Sequence, residues 1–497
     1  SASLVGSEMC IRDSPITRLD YPDLDVIRVE DTYYMVSTTM HFMPGCEILQ
    51  SFDLVHWEHV TYVYETLDHT DAQQLKSGQN IYGQGMWAAS LRYHEGRFCI
   101  CFVANDTRKT YLYTSEKIDG PWKKQLIEGF YHDGSLLFDE DGRNYIVYGN
   151  DEIWITELNE DLTAPKKDGL HRLLVSDHKN PELGYEGSHI QKINGYYYIF
   201  LVHSLRDRWM RTEACFYSDS LEGEFTGGDV LCDDRGYCGQ GVAQGGIVDT
   251  PDGKWYAMLF QDSGAVGRIP ILLPVTWKDH FPFFGQNGHV PEEIEVHSTR
   301  PGYIYQPLVG SDDFCNGLLP RWQFNHDPDP RYYHLDALQG TYTITTREVC
   351  TELTQAVNTL TQRMSYPSCA AEVTVDASAL KEGDVAGLCA LQSCYAAVGI
   401  TKHHGKYEVL MLDKKEDGIL DMTEGTVVES HQMDFRLEAD FCNMKDEARC
   451  YYRVNKGDWL PIGTVHKLYF KLDHFTGCRF GLFCYAAEET GGSACFR

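Results

Sequence analysis

The sequence predicts an all-β chain, a five-bladed β-propeller followed by a β-sandwich. Three observations carry that reading. A hairpin phrase, a turn pair followed by alternating aromatic and β-branched residues, recurs five times between residues 30 and 258. A short apolar strand precedes each copy and another follows most of them, so three to four strands repeat roughly every 50 to 65 residues. A period that long belongs to a propeller; a sandwich has none. Aromatic residues, 31 Tyr, 22 Phe and 9 Trp, make up 12% of the chain, which suits strands and ligands that stack on rings, such as sugars.

The elements follow in order. Residues 1–14, SASLVGSEMCIRDS, show no periodicity and no basic start leading into an apolar core, so they read as an N-terminal tail or scar and not as a signal peptide. Blade one pairs 25–29 through Glu30-Asp31 with Thr32-Tyr33-Tyr34-Met35-Val36, and blade two pairs 86–93 through Glu95-Gly96 with Arg97-Phe98-Cys99-Ile100. Blade three pairs 134–138 through Asp141-Gly142 with Tyr145-Ile146-Val147. Blade four pairs 188–193 through Asn194-Gly195 with Tyr196-Tyr197-Tyr198, and blade five pairs 245–248 through Asp252-Gly253 with Trp255-Tyr256-Ala257-Met258. Asn-Gly and Asp-Gly mark hairpins because both residues tolerate the positive φ of a tight turn. The propeller domain is bounded at residues 15–296. Residues 297–311, with the phrase HSTRPGYIYQP, form an extended connector. Residues 312–497 resume alternating strand runs without the hairpin phrase, as a second all-β domain would.

Composition removes several classes of function. With 43 Lys+Arg against 73 Asp+Glu the net charge is −30, whereas a nucleic-acid partner wants a basic face. No run approaches the roughly 18 apolar residues of a spanning helix, so no membrane partner is expected. The 17 Cys are odd in number and contain no CxxC pair, which argues against a disulfide framework or a zinc site and for reduced thiols in a cytoplasmic protein, a secreted form staying open if the start of the chain was trimmed.

The innermost strands of a propeller surround its axis, so polar residues at their starts converge on one pocket. Three acids begin innermost strands: Asp23 in Tyr21-Pro22-Asp23-Leu24-Asp25, Asp133 in His132-Asp133-Gly134-Ser135, and Glu186 in Tyr185-Glu186-Gly187-Ser188-His189. Acids beside glycine are mostly turn formers or solvated charges; a shared place in the repeat singles these three out. Carboxyls paired in an aromatic pocket suit cleavage of a glycosidic bond, one protonating the departing oxygen and the other activating water or attacking the sugar. Trp87, which opens blade two, suits sugar stacking as well as core packing, and Arg268 of blade five suits a hydroxyl clamp as well as a salt bridge. His41, Phe42 and Gln244 complete the substrate-binding candidates.

These residues resemble glycoside hydrolase family 43, five-bladed propeller enzymes that include β-xylosidases, α-L-arabinofuranosidases and arabinanases. Pro22-Asp23-Leu24-Asp25 resembles the family's first signature, with Leu24 where a second proline is usual; Asp133 through Gly142 resembles the second, and Glu186-Gly187-Ser188-His189-Ile190 the third. The resemblance implies Asp23 as general base, Asp133 as the residue that tunes and orients the acid, and Glu186 as general acid. It extends to the phrases at Trp87 and Arg268. Past the propeller, Trp322-Gln323-Phe324-Asn325, Asn358-Thr359-Leu360-Thr361-Gln362-Arg363 and Gly383-Asp384-Val385-Ala386-Gly387 look like the appended concanavalin-like jelly roll of the xylosidase-type members. One departure stands at the centre. Many members carry His there, in a Gly-His-Gly phrase that helps hold calcium or a water cluster; this chain has Ala243-Gln244-Gly245. Gln244 still offers a carbonyl oxygen to Ca²⁺, but no metal is assigned and no cofactor is expected to be required.

The implied activity is that of an exo-acting, inverting hydrolase that releases xylose or arabinose from xylo-oligosaccharides and arabinoxylan, the sandwich closing one side of the pocket. Its partner is a small oligosaccharide, with homo-oligomerisation left open. Inversion requires acid and base carboxyls roughly 6.5–9.5 Å apart, an ionised base, and a Glu186 kept protonated by burial and by the charge of Asp133. The alternatives are a carbohydrate-binding propeller without catalysis and an arabinan-directed member. A retaining, invertase-like propeller would want an Asn-Asp-Pro-Asn-Gly phrase near its start, which is lacking.

Overall fold

Alternation of buried and outward residues sets the strands and glycine-bearing turns join them. A computed structural model describes residues 9–13 and 16–497, with side chains from 16 onward. Among these residues, five four-stranded antiparallel sheets follow one another along the chain as the blades. Their innermost strands are Asp25–Val29, Met86–His94, Ser135–Phe138, Glu186–Ile193 and Val242–Asp249. Each packs on the next and the fifth packs on the first, which closes the ring. In the Glu95-Gly96 and Asn194-Gly195 turns both residues are left-handed, at φ 47° and 77° and at φ 50° and 84°, the geometry whose twist matches the flanking strands. The innermost strands of blades four and five begin earlier than alternation alone indicates, because register shifts between Glu186 and His189 and between Ala243 and Gly246 carry the ladders through bulges. Apolar side chains such as Met35, Leu49, Met258 and Leu272 fill the spaces between blades, each worth about 1.5–3 kcal/mol of burial.

Met9–Asp13, inside the segment read as a tail, pairs antiparallel with Glu293–His297; residues 1–8 and 14–15 lie outside the described residues. The C-terminal domain is a sandwich of a nine-stranded and a seven-stranded sheet among the described residues. The nine-stranded sheet ends on propeller residues, since Phe42–Met43 from blade one pairs with Gln323–Asn325. The sandwich core likewise takes in Ala265, Val266 and Ile269 of blade five. A polar seam runs beside this contact. Arg363 of the sandwich pairs with Glu47 at 2.7 Å and donates to the Asp20 carbonyl at 2.9 Å, while the Asp20 carboxylate accepts the N–H of Arg268 at 2.7 Å and of Gly477 at 2.8 Å. The two domains therefore meet through one shared core next to the propeller axis. Among the described residues all 16 cysteines are unpaired thiols, and no helix is long and apolar enough to cross a membrane.

Candidate active site

At one end of the axis the chain swings from connecting loops into innermost strands through left-handed residues. Asp23, Asp133, Gly187 and Gln244 have φ of 50°, 48°, 65° and 66°, a conformation that non-glycine residues hold only where the surroundings enforce it. Asp23 is 4% exposed. Its Oδ1 accepts from Arg268 Nη1 at 2.5 Å and from Gln244 Nε2 at 3.2 Å, and its Oδ2 accepts from Thr38 Oγ1 at 2.6 Å. Arg268 is braced in turn: its Nε donates to Asp262 at 3.1 Å, Asp262 also accepts from Arg211 Nε at 3.0 Å, and the guanidinium lies 4.1 Å from the centre of the Phe475 ring. Arg211, Asp262, Arg268 and Asp23 thus form a buried chain of alternating charge, in which removing one member would strand its neighbours.

Glu186 and Asp133 face a second cation. His132 Nε2 lies 3.5 Å from Glu186 Oε2 and 3.6 Å from Asp133 Oδ2, wider than a normal hydrogen bond but close for an ion pair. Asn150 Nδ2 donates to Glu186 Oε2 at 2.7 Å and the Gly187 N–H to Asp133 Oδ2 at 2.9 Å. The Asp133 charge, with Glu186 and Asp23 behind it, lifts the His132 imidazole to about 9 against the effect of burial. Burial pushes the Asp133 carboxyl up to about 6, helped by Glu186 and Asp23 and opposed by His132. Burial alone would raise Glu186 too, but His132, Arg211 and Arg268 outweigh it and hold that carboxyl below its ordinary value. This corrects the expectation that burial and Asp133 keep Glu186 protonated: the imidazolium next to Asp133 in the chain reverses the balance, and the site stores its proton on His132.

Trp87 meets Phe475 edge-on at 5.2 Å and His132 at 6.1 Å, and its indole N–H has no partner among the described residues. Phe475 belongs to the sandwich, so the second domain supplies part of the wall. Beneath the acids a small axial cavity of about 10 Å³ is lined by Asp23, Asp25, Asp133, Ser188, His189 and Gln244. Its floor is tied by Asp25 to Arg92 at 2.7 Å and to His189 at 3.2 Å; burial would raise the Asp25 carboxyl, yet these partners hold it at about 2.

The structure thus gathers Asp23, Asp133, Glu186, Trp87, Arg268 and Gln244 at one end of the axis. His41 and Phe42 stand apart, each 1% exposed. His41 bonds Asn325 at 3.1 Å and packs against Tyr82, His326 and His474, while Phe42 carries the Arg479 guanidinium 3.4 Å from its ring centre. Both contact the sandwich and leave no surface for a sugar. Two residues of the site were not among the candidates: His132, although it stands inside the Asp133 phrase, and Phe475, which lies outside the phrases quoted for the C-terminal domain. As to metals, ligand atoms of His132, Asp133 and Glu186 lie within 4.8 Å of one another and could hold an ion. Gln244 turns its amide nitrogen to Asp23, and its carbonyl oxygen has no partner among the described residues.

Residues 12–282 match the Glycosyl hydrolases family 43, and residues 311–497 match the Beta xylosidase C-terminal Concanavalin A-like domain. The chain is 26% identical to a beta-xylosidase of Formosa agariphila, over 96% of this chain and 88% of that protein. It is 27% identical to the xylosidase/arabinosidase 43B of Humicola insolens, over 75% of this chain and 73% of the relative. Among solved structures, a bifunctional GH43-CE protein of Bacteroides eggerthii is 41% identical and superposes on 98% of this chain with a TM-score of 0.91; the chain spans 63% of that protein's length.

Proposed function

The chain belongs to family 43 of the glycosyl hydrolases, and from that premise we propose an exo-acting, inverting hydrolase that releases xylose and arabinose from xylo-oligosaccharides and arabinoxylan. The observation that carries the reading is the separate handling of two carboxyls at one mouth. Asp23 is surrounded by donors from Arg268, Gln244 and Thr38, as a base that must receive a proton from water requires. Glu186 lies beside the proton-bearing His132 and the buried Asp133, as an acid that must be reloaded requires. In the reaction Asp23 takes a proton from the attacking water while Glu186 gives one to the departing oxygen. Glu186 draws that proton from His132, 3.5 Å away; Asp23 then releases its proton to solvent and His132 takes one up, which closes the cycle without a cofactor.

A binder that only accepts sugar hydroxyls needs no cation between two acids, so this grouping favours catalysis. Phe475 and Trp87 wall one side of the mouth, which suits a chain end over the middle of a polymer. The names of the relatives support both sugars, because xylosidase and arabinosidase descriptions occur among them. Rates on aryl β-D-xylopyranoside and aryl α-L-arabinofuranoside, measured side by side, test the reading. Turnover of both, lost by at least 10³-fold in Asp23→Ala on the scale of a missing general base, is expected; a wild type inert on both, or an Asp23→Ala variant that keeps its rate, contradicts it.

A further inference from the structure

Glu213 lies on the third strand of blade four, Arg211–Ser218, and is fully buried. Its Oε2 accepts the Gln244 backbone N–H at 2.7 Å across the gap between blades four and five, and its Oε1 has no partner among the described residues. Burial, opposed by that one backbone bond, pushes its carboxyl well above the ordinary range. A buried acid with no cation beside it among the described residues destabilises a fold, so a carboxyl kept in such a place calls for an explanation.

What Glu213 holds supplies one. Gln244 has φ of 66° at the bulge between Ala243 and Gly246, a left-handed conformation for a residue other than glycine. The side chain it carries donates to Asp23 Oδ1 at 3.2 Å. Space for that side chain exists because Gly187 has no Cβ, which would lie 2.7 Å from Gln244 Cγ. The geometry points to Glu213 as a positioning residue for the hydrolytic base: by accepting the Gln244 N–H it fixes the strained backbone that aims the Gln244 amide at Asp23. Glu213 itself does not touch Asp23. The inference rests on Asp23 being the base and adds the residue that holds one of its three donors in place.

Two variants of similar size separate positioning from packing. Glu213→Gln keeps a carbonyl acceptor for the Gln244 N–H, and Glu213→Met fills the same space without one. On an aryl β-D-xylopyranoside, E213Q is expected to stay within about threefold of wild-type kcat/KM, whereas E213M loses about tenfold, the scale of one lost hydrogen bond. The loss should fall on kcat and not on KM, and the acidic limb of the pH profile, which reports the base, should move. Gln244→Ala should move that limb likewise, and E213M combined with Q244A should move it no further, since Glu213 acts through Gln244. An E213M variant with the wild-type limb overturns the inference, as does a double variant whose shifts add. E213Q falling as far as E213M, or both variants failing to fold, overturns it too. Failure of the base assignment reads differently, as turnover retained by Asp23→Ala whatever happens at Glu213.

Discussion

A single side chain, His132, changes how the acid works. With Asp133 at about 6 and His132 at about 9, the three-residue group keeps a transferable proton well into alkaline solution. The sign follows from the direction of the shift: a raised imidazole holds its proton below its folded value and loses it as pH rises through that value. Replacing His132 by Gln leaves Asp133 and Glu186 to hold the proton between them, so the basic limb of kcat/KM should move down from near 9. Profiles of wild type and H132Q on the same aryl glycoside check this, and an unmoved limb would remove His132 from the mechanism. The three acids were legible in the sequence because each opens a repeat. The imidazole was not, because its effect depends on a 3.5 Å approach to Glu186, which lies 54 residues away along the chain (186 − 132).

At the scale of elements, the bulged starts of the innermost strands place the reacting groups. Gly187 follows Glu186 at φ 65°, donates its N–H to Asp133 at 2.9 Å, and leaves room for Gln244. Gly187→Ala brings a Cβ to 2.7 Å from Gln244 Cγ in a backbone region that side chains avoid. Either Gln244 leaves Asp23 or the strand start shifts and takes Glu186 with it. We expect kcat to fall by about 10²-fold, as for a misplacement near 1 Å, with a melting temperature changed by only a few degrees. Steady-state kinetics and calorimetry on G187A decide it, and a variant with wild-type kcat would show that the strand start tolerates movement. The hairpins themselves were readable from Asn194-Gly195 and its counterparts, and so were five blades. The bulges were not, because an extra residue in a ladder follows from what the neighbouring blade offers, such as the Glu213 carboxylate, and not from local propensity.

At the scale of the whole molecule, the sandwich is part of the site. It lends Phe475 to the wall, takes Phe42–Met43 into its own sheet, and packs His41, His326 and His474 into a buried contact. Two all-β domains were legible from alternation, but His41 and Phe42 stood among the substrate-binding candidates, because nothing local shows that a loop between two blade-one strands joins a sheet almost 300 residues further on (323 − 42 = 281). The contact carries a pH dependence. Burial holds His326 and His474 at about 3, below the ordinary 6.5, so the folded state wants them neutral. Their contribution is complete above pH 6.5 and is lost as pH falls towards 3. Among the described residues neither ring nitrogen of His474 has a partner, so His474→Phe removes this liability at little other cost. Its stability relative to wild type should grow by on the order of 1.4 kcal/mol for each pH unit below 6.5. Denaturant midpoints at pH 7 and pH 5 measure this, and a constant gap would contradict it. The assembled site makes one demand that reaches the product. If Asp23 activates water while Glu186 protonates the departing oxygen, the sugar must leave with its anomeric configuration reversed. Proton NMR of an aryl β-D-xylopyranoside in the first minutes of turnover, before mutarotation, should show α-xylose as the first product; β-xylose as the first product would mean a covalent, retaining route and would contradict the account.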